Sequence, residues 1–264
     1  MKGERRSTRR GASVEFADYR NYVAGDDLRH VDWNTFARLE RLFLKLFVEE
    51  EDLTVHLLLD TSRSMAFGEP AKIAYAQRVA AALGYIGLVG YDRVTAALLG
   101  EGAPRVLPAV RGRPQVFRLF QFLGGARAEG RADLGRALRD YALAAGRAGL
   151  AVVVSDFLNP DYQAGLRALA ARKFDVTVIH ILDRTEVEPD LVGDLRLVDS
   201  ETGETREISV SQYLLGQYRK GLAEFCDDLN ATCARYGMDS VRTTTDVPFD
   251  QLVLRTLRTT GVVR

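Results

Sequence analysis

Leu53-Thr-Val-His-Leu-Leu-Leu-Asp60-Thr-Ser-Arg-Ser64 begins as a mostly aliphatic run, stops at a carboxylate, and continues with hydroxyls at alternate positions. A run this short, containing Val55 and bounded by a polar residue, reads as a buried strand over Leu53 to Leu59 with Asp60 at its carboxyl end. The segment that follows, Ala71 to Val89, carries Ala, Ile, Val and Leu at helical spacing and predicts a long helix. Strand, polar turn and helix in this order are the first half of a βαβ unit.

Further along the chain the pattern repeats. Val94 to Leu99 and Arg105 to Val110 read as strands joined through the Gly102-Ala-Pro104 turn, and they are expected to pair as a hairpin. Pro114 suits the start of a helix over Gln115 to Leu123, which Gly124 and Gly125 end. Leu134 to Ala148 reads as a helix, and Leu150 to Val154 as an aliphatic strand ending on Ser155 and Asp156. Asn159 is placed to cap a helix from Pro160 to Arg172, and Val176 to Leu182 is a further strand.

Strands that are aliphatic on both faces and alternate with helices predict a doubly wound α/β fold around a mostly parallel sheet. Ligands in such folds lie at the carboxyl ends of the strands, which is where Asp60 and Asp156 fall. Beyond this series, Asp194 to Asp199 and Thr205 to Val210 flank a turn over Ser200 to Glu204 and read as a small hairpin. A helix over Gln212 to Tyr236, a strand over Ser240 to Thr244 and a helix over Phe249 to Leu257 complete the chain. The division expected is a basic leader and extended arm over 1–50, then one α/β domain over 51–264 with a hairpin insertion at about 193–210.

The composition excludes several function classes. The 36 basic and 36 acidic side chains cancel and the pI is near 6.9, so nucleic acid and anionic membrane are not expected as partners. No stretch reaches the ~18 apolar residues of a membrane span, and the basic run Lys2 to Arg10 has no apolar segment behind it, so a cytoplasmic protein is expected. Cys226 and Cys233 fall two turns apart on one predicted helix, too far for a disulfide, and read as buried thiols. His30, His56 and His180 lack the Cys or Glu spacing of a zinc site, and no phosphate-binding glycine loop is present.

Asp60, Ser62 and Ser64 can turn one carboxylate and two hydroxyls to the same side, a set of hard oxygens that selects Mg²⁺, Mn²⁺ or Ca²⁺. Spacing alone leaves a second reading open, because Asp and Ser at a strand end also build turns and helix caps. Asp156, at the end of a later strand, can converge on the same crevice.

The Asp60-x-Ser62-x-Ser64 strand end, the helix after it and the Val152-Val-Val-Ser-Asp-Phe157 run resemble a von Willebrand factor A domain with its metal-ion-dependent adhesion site. Gly11-Ala-Ser-Val-Glu-Phe-Ala-Asp-Tyr-Arg20, Tyr22, Gly25-Asp-Asp-Leu-Arg29, Asp32-Trp-Asn34 and Ala37-Arg38 are similar to the bacterial family called domain of unknown function fifty-eight. The resemblance implies a Mg²⁺-type site in which Ser62 and Ser64 ligate directly, Asp60 and Asp156 act directly or through water, and an open position takes an acidic side chain of a partner. It further implies a non-catalytic protein-interaction role beside a MoxR-type AAA ATPase in protein assembly or maturation. No small-molecule substrate is expected.

One departure stands out. Where the family has a loop reading Gly-x-Thr-Asp-Leu, this chain has Gly130-Arg-Ala132-Asp133-Leu134, so the Thr that would ligate the metal is an alanine. Asp133 is then the candidate substitute ligand, and Arg131 can supply positive charge in place of a metal. Arg63, Arg131 and Trp33 are the candidate partner-binding residues. Two alternatives remain: a Mg²⁺-dependent phosphate-ester hydrolase built on Asp60, which Ser62 serves poorly as general acid, and a metal-free scaffold with a decayed site. The charged and aromatic cluster from Asp18 to Arg38 reads first as an ion-pair network that pins the arm, with Trp33 packed as its anchor, and second as a docking surface.

Overall fold

The computed structural model describes residues 15–48, 53–191, 193–198 and 203–260. The leader before residue 15 and the tip of the expected hairpin, 199–202, lie outside the described residues. The chain divides into two compact units, Met1–Asp52 and Leu53–Arg264.

The first unit is an antiparallel pair, β1 (Glu15–Asn21) and β2 (Phe43–Val48), with a short helix α1 (Trp33–Leu39) between them. The expected extended arm therefore folds back on itself. Asp32 organises it: its Oδ1 accepts the Asn34 and Thr35 amides at the start of α1, and its Oδ2 accepts the Tyr19 hydroxyl at 2.8 Å and faces Lys45 Nζ at 3.3 Å. The Tyr19 hydrogen bond, ahead of the backbone and lysine contributions, holds the Asp32 carboxyl well below the usual range. Arg20 pairs with Asp26 and Arg29 with Asp27 within this unit. Trp33 is not a packed anchor: it is 57% exposed and meets Phe36 edge to face.

The second unit holds the sheet. Its strands are β3 (Thr54–Asp60), β4 (Arg93–Leu99), β5 (Arg105–Arg111), β6 (Leu150–Ser155) and β7 (Asp175–Leu182), with a last strand near the carboxyl end. The helices are α2 (Lys72–Val89), α3 (Val116–Gly124), α4 (Leu134–Ala144), α5 (Tyr162–Ala171) and the single turn α6 (Arg184–Val187). A separate antiparallel hairpin, β8 (Gly193–Val198) and β9 (Thr205–Val210), then leads into α7 (Gln212–Arg235), β10 (Asp239–Thr244) and α8 (Phe249–Thr260). The sheet order is β10-β7-β6-β3-β4-β5, with only β5 antiparallel to its neighbour.

Every residue of β3 is buried because helices cover both faces of the sheet. Val55, Leu57 and Leu59 pack with α2, α3 and α8. Leu58 packs on the other face with α4, α5 and residues of α7. Counted within this sheet the order is 3-2-1-4-5-6, and the winding reverses between β3 and β6, which opens a crevice at their carboxyl ends.

Several helix boundaries differ from the sequence reading, among them the end of α8, which runs to Thr260 rather than Leu257. The helix expected to run to Ala148 ends at Ala144, where the Arg172 guanidinium takes the Ala145 carbonyl and frees the chain to turn into β6. The helix expected to begin at Pro160 begins at Tyr162, and Asn159 is not its cap. Its Oδ1 accepts the Asp161 amide and its Nδ2 donates to the Ala132 carbonyl at 2.9 Å, tying the loop before α4 to the end of β6.

Gly135 lets α4 and α5 meet at this corner, since a Cβ there would strike the Asp161 carbonyl, which is backbone and cannot yield cheaply. We expect Gly135→Ala to lower stability by about 1–3 kcal/mol in a urea melt. An unchanged midpoint would mean that the two helices can separate without cost.

Candidate functional site

Asp60 ends β3 at the winding reversal and is 2% exposed. Its Oδ1 accepts the Ser62 amide at 2.8 Å, which turns the chain sharply after the strand, and its Oδ2 accepts the Ser155 hydroxyl from the end of β6 at 2.6 Å. The Ser155 hydroxyl oxygen in turn accepts the Phe157 amide at 2.8 Å, in a turn that holds Phe157 at φ +54°. Burial first, and the neighbouring Asp156 charge second, push the Asp60 carboxyl up to about 6 against those hydrogen bonds.

Ser62 and Ser64 face each other, with their hydroxyl oxygens 3.1 Å apart. The alternation seen in the sequence thus brings both hydroxyls to one side. The loop carrying them is joined to the loop before α4: the Glu129 amide donates to the Thr61 carbonyl, and the Arg63 amide to the Gly130 carbonyl. Arg63 and Arg131, both exposed, therefore flank the crevice from adjacent backbones.

Asp156 is 1% exposed, and its partner is a residue the sequence reading passed over. Lys72, the first residue of α2, is wholly buried and puts its Nζ 2.8 Å from Asp156 Oδ2 and 2.6 Å from Glu186 Oε1. The other Asp156 oxygen accepts the Leu158 amide at 3.2 Å. Glu186 is fixed in turn by a capping box, its Oε2 accepting the Asp183 amide while Asp183 caps α6 through Thr185. Asp183 also takes the Thr245 hydroxyl just after β10, so one lysine links the start of α2 to the ends of β6, β7 and β10. Burial raises the Asp183 carboxyl, but the Thr185 and Thr245 hydrogen bonds and the Lys72 charge outweigh it and leave it lowered.

The chain matches the family model described as "Protein of unknown function DUF58" over residues 18–224. It belongs to that family. Uncharacterized proteins of Mycobacterium tuberculosis and Mycobacterium bovis are each 32% identical to it over 242 residues, covering 89% of this chain and 76% of theirs. Among solved structures it is similar to the conserved hypothetical protein BatB from Bacteroides thetaiotaomicron, with a TM-score of 0.49, 14% identity, and coverage of 80% of this chain and 100% of that one. The VWA domain of SpRpn10 gives a TM-score of 0.46 at 12% identity, covering 78% of this chain and 95% of that one.

In this DUF58 chain the sequence-predicted residues divide into two groups. Asp60, Ser62, Ser64 and Asp156 converge on the crevice between β3 and β6. Asp133 is exposed, and its carboxylate accepts the Arg136 amide as the cap of α4. Trp33 belongs to the first unit. A cavity of about 1050 Å³ lies elsewhere, between α7 and α8 along β10, and none of the crevice residues lines it.

The residues in place do not fit a resident divalent ion. All four carboxylate oxygens of Asp60 and Asp156 already have a protein donor, one of them an ammonium. Ala132, at the third direct ligand position the resemblance implies, is buried and brings no oxygen. Asp156 is already neutralised by the Lys72 ammonium and Asp60 is held by two donors, so the oxygens at the turn outside those bonds are the Ser62 and Ser64 hydroxyls, whereas Mg²⁺ in protein sites is held through one or two carboxylates. Among the described residues no group of three or more His, Cys, Asp or Glu is arranged to hold a metal ion. No described helix is long and apolar enough to cross a membrane.

Proposed function

We propose that the chain is a non-catalytic protein-interaction domain whose crevice at the carboxyl ends of β3 and β6 grips an acidic side chain of a partner protein. The observation that carries this reading is the pairing of the Ser62 and Ser64 hydroxyls at the winding reversal, with Arg63 and Arg131 on the adjoining loops. Hydroxyls rotate to donate to a carboxylate, and guanidinium groups at the rim steer it in and bind it with charge-assisted hydrogen bonds. The buried carboxylates beneath serve as a rigid floor: each of their oxygens is held by a donor, and Asp60 sets the turn that presents Ser62. Family resemblance points to a MoxR-type AAA ATPase as the partner, with assembly or maturation of other proteins as the process.

A hydrolase reading has less support. Asp60 is occupied by Ser62 and Ser155, and the lysine nearest the acids is wholly buried, so neither is presented to a substrate. The test is direct binding to a MoxR-type ATPase from the same organism, followed by interferometry. Ser62→Ala combined with Arg131→Glu is expected to weaken the complex at least roughly tenfold, a loss of about 1.4 kcal/mol, with the melting temperature kept. Unchanged affinity would move the contact away from the crevice. Loss of binding in EDTA would instead favour a metal-bridged contact with the partner's carboxylate.

A further inference from the structure

The crevice holds one internal cation, and it comes from the chain itself. Lys72 has no exposed surface, and its ammonium lies between Asp156 and Glu186 at 2.8 and 2.6 Å. A buried lysine is costly unless its charge is paired, so its retention here marks a fixed electrostatic role. With the Asp156 oxygens taken by Lys72 and the Leu158 amide, and the Asp60 oxygens by Ser62 and Ser155, no carboxylate oxygen of the crevice lacks a donor. The alanine at 132 matches this arrangement. An oxygen aimed at a cation would have no purpose where the cation is tethered on a side chain.

We propose that Lys72 stands in for the divalent ion: its ammonium supplies the charge that neutralises Asp156, and the crevice is built to work without a metal. The consequence is specific. Removal of the ammonium leaves Asp156 and Glu186 buried and uncompensated around a vacated volume, which converts a metal-indifferent site into one that takes a small divalent cation. This does not depend on what docks at the crevice, so the partner reading above and the lysine's role stand or fall separately.

The experiment is thermal unfolding of the wild type, Lys72→Met and Ala132→Thr, each in EDTA and in Mg²⁺ or Mn²⁺, with Mn²⁺ binding read in parallel by loss of the free-ion electron paramagnetic resonance signal. The wild type and Ala132→Thr are expected to melt at the same temperature with and without divalent ions and to leave the Mn²⁺ signal unchanged. Lys72→Met is expected to melt roughly 10 °C lower in EDTA, and to recover by several degrees in about 1 mM Mn²⁺ but not in an equal ionic strength of NaCl.

Mn²⁺ binding by the wild type, or its acquisition by Ala132→Thr alone, would overturn the proposal, because the lysine would then not be filling the site. A Lys72→Met protein that is as stable as wild type, or that folds and gains nothing from divalent ions, would overturn it as well. If Lys72→Met does not fold in any buffer, the Ala132→Thr comparison decides. A metal site completed by the added hydroxyl refutes the lysine's role, and continued indifference to Mn²⁺ supports it.

Discussion

Asp156→Ala is expected to destabilise the chain by about 3–5 kcal/mol. The Lys72 ammonium is wholly buried and would keep only Glu186 as an anionic partner, with a cavity in place of the carboxylate that lies 2.8 Å away. The loss is large because the lysine cannot reach water without leaving its helix packing, so the remaining charge is under-paired in a low-dielectric setting. The Leu158 amide loses its acceptor in the same change. For a unit of this size the loss corresponds to a fall in melting temperature of roughly 10 °C. Asp156→Asn keeps the side-chain volume and one acceptor oxygen, for the Lys72 ammonium or the Leu158 amide but not both, and is expected to cost less than the alanine. Urea melts of the three proteins at neutral pH measure this directly, and a midpoint for Asp156→Ala within experimental error of wild type would show that Lys72 is not held as the structure places it.

That pair also shows where reading the sequence stops. The strand over Leu53 to Leu59 and the aliphatic run ending at Ser155 and Asp156 are legible because a doubly buried strand has almost no freedom in composition. A doubly wound fold puts the carboxyl ends of both strands along one edge of the sheet, so Asp60 and Asp156 can be expected to converge, while the strand order that makes them neighbours is set by the tertiary packing. Lys72 carries no comparable signal. A lysine in the first turn of an apolar helix looks like an ordinary solvated residue, and its burial depends on the Glu186 turn, more than a hundred positions away in sequence. Ser155 was read only as the end of a strand, though its hydroxyl joins β6 to Asp60. Asp133 was read as a spare ligand, whereas its position before Leu134 makes it the cap of α4; the same Asp–helix spacing serves both roles, and only geometry separates them.

The first unit was legible in part. The ion pairs of Asp26 and Asp27 form between residues close in sequence, and such pairs can be anticipated from spacing. The fold-back of β1 on β2 was missed because the turn between them contains a helix, which hides the alternation of Phe43 to Val48 behind a polar stretch. Trp33 stayed exposed for the same reason, since it opens α1 rather than lying along a strand.

Acid is expected to weaken the second unit between about pH 6.5 and 4, because two histidines are buried neutral in the sheet. His56 on β3 bonds the Tyr141 hydroxyl through Nδ1 at 2.7 Å and packs edge on against Phe174, while its Nε2 finds no partner among the described residues. Burial lowers its pKa from 6.5 to about 4, with the Arg147 backbone acting in the opposite direction. His180 on β7 is lowered to about 4 as well, first by burial and against the pull of the Asp156 charge, and lies among the rings of Phe157 and Phe225.

Above pH 6.5 both histidines are neutral in the folded and unfolded chains, so their contribution to stability is complete there. As pH falls from 6.5 to 4 the unfolded chain takes up protons that the folded chain refuses, and stability drops by roughly 1.4 kcal/mol per pH unit for each residue. Over the whole window the two together remove about 6 kcal/mol, and Asp60, whose carboxyl is pushed up to about 6 in the folded chain, offsets roughly 2 kcal/mol of that as pH falls from 6 to 4, because there the folded chain takes up its proton before the unfolded one. The slope belongs to the histidines if His56→Gln, which keeps a polar group near Tyr141 but cannot be charged, reduces the loss between those limits by about 3 kcal/mol. A His56→Gln protein with the wild-type slope would show that His56 does not carry the acid sensitivity.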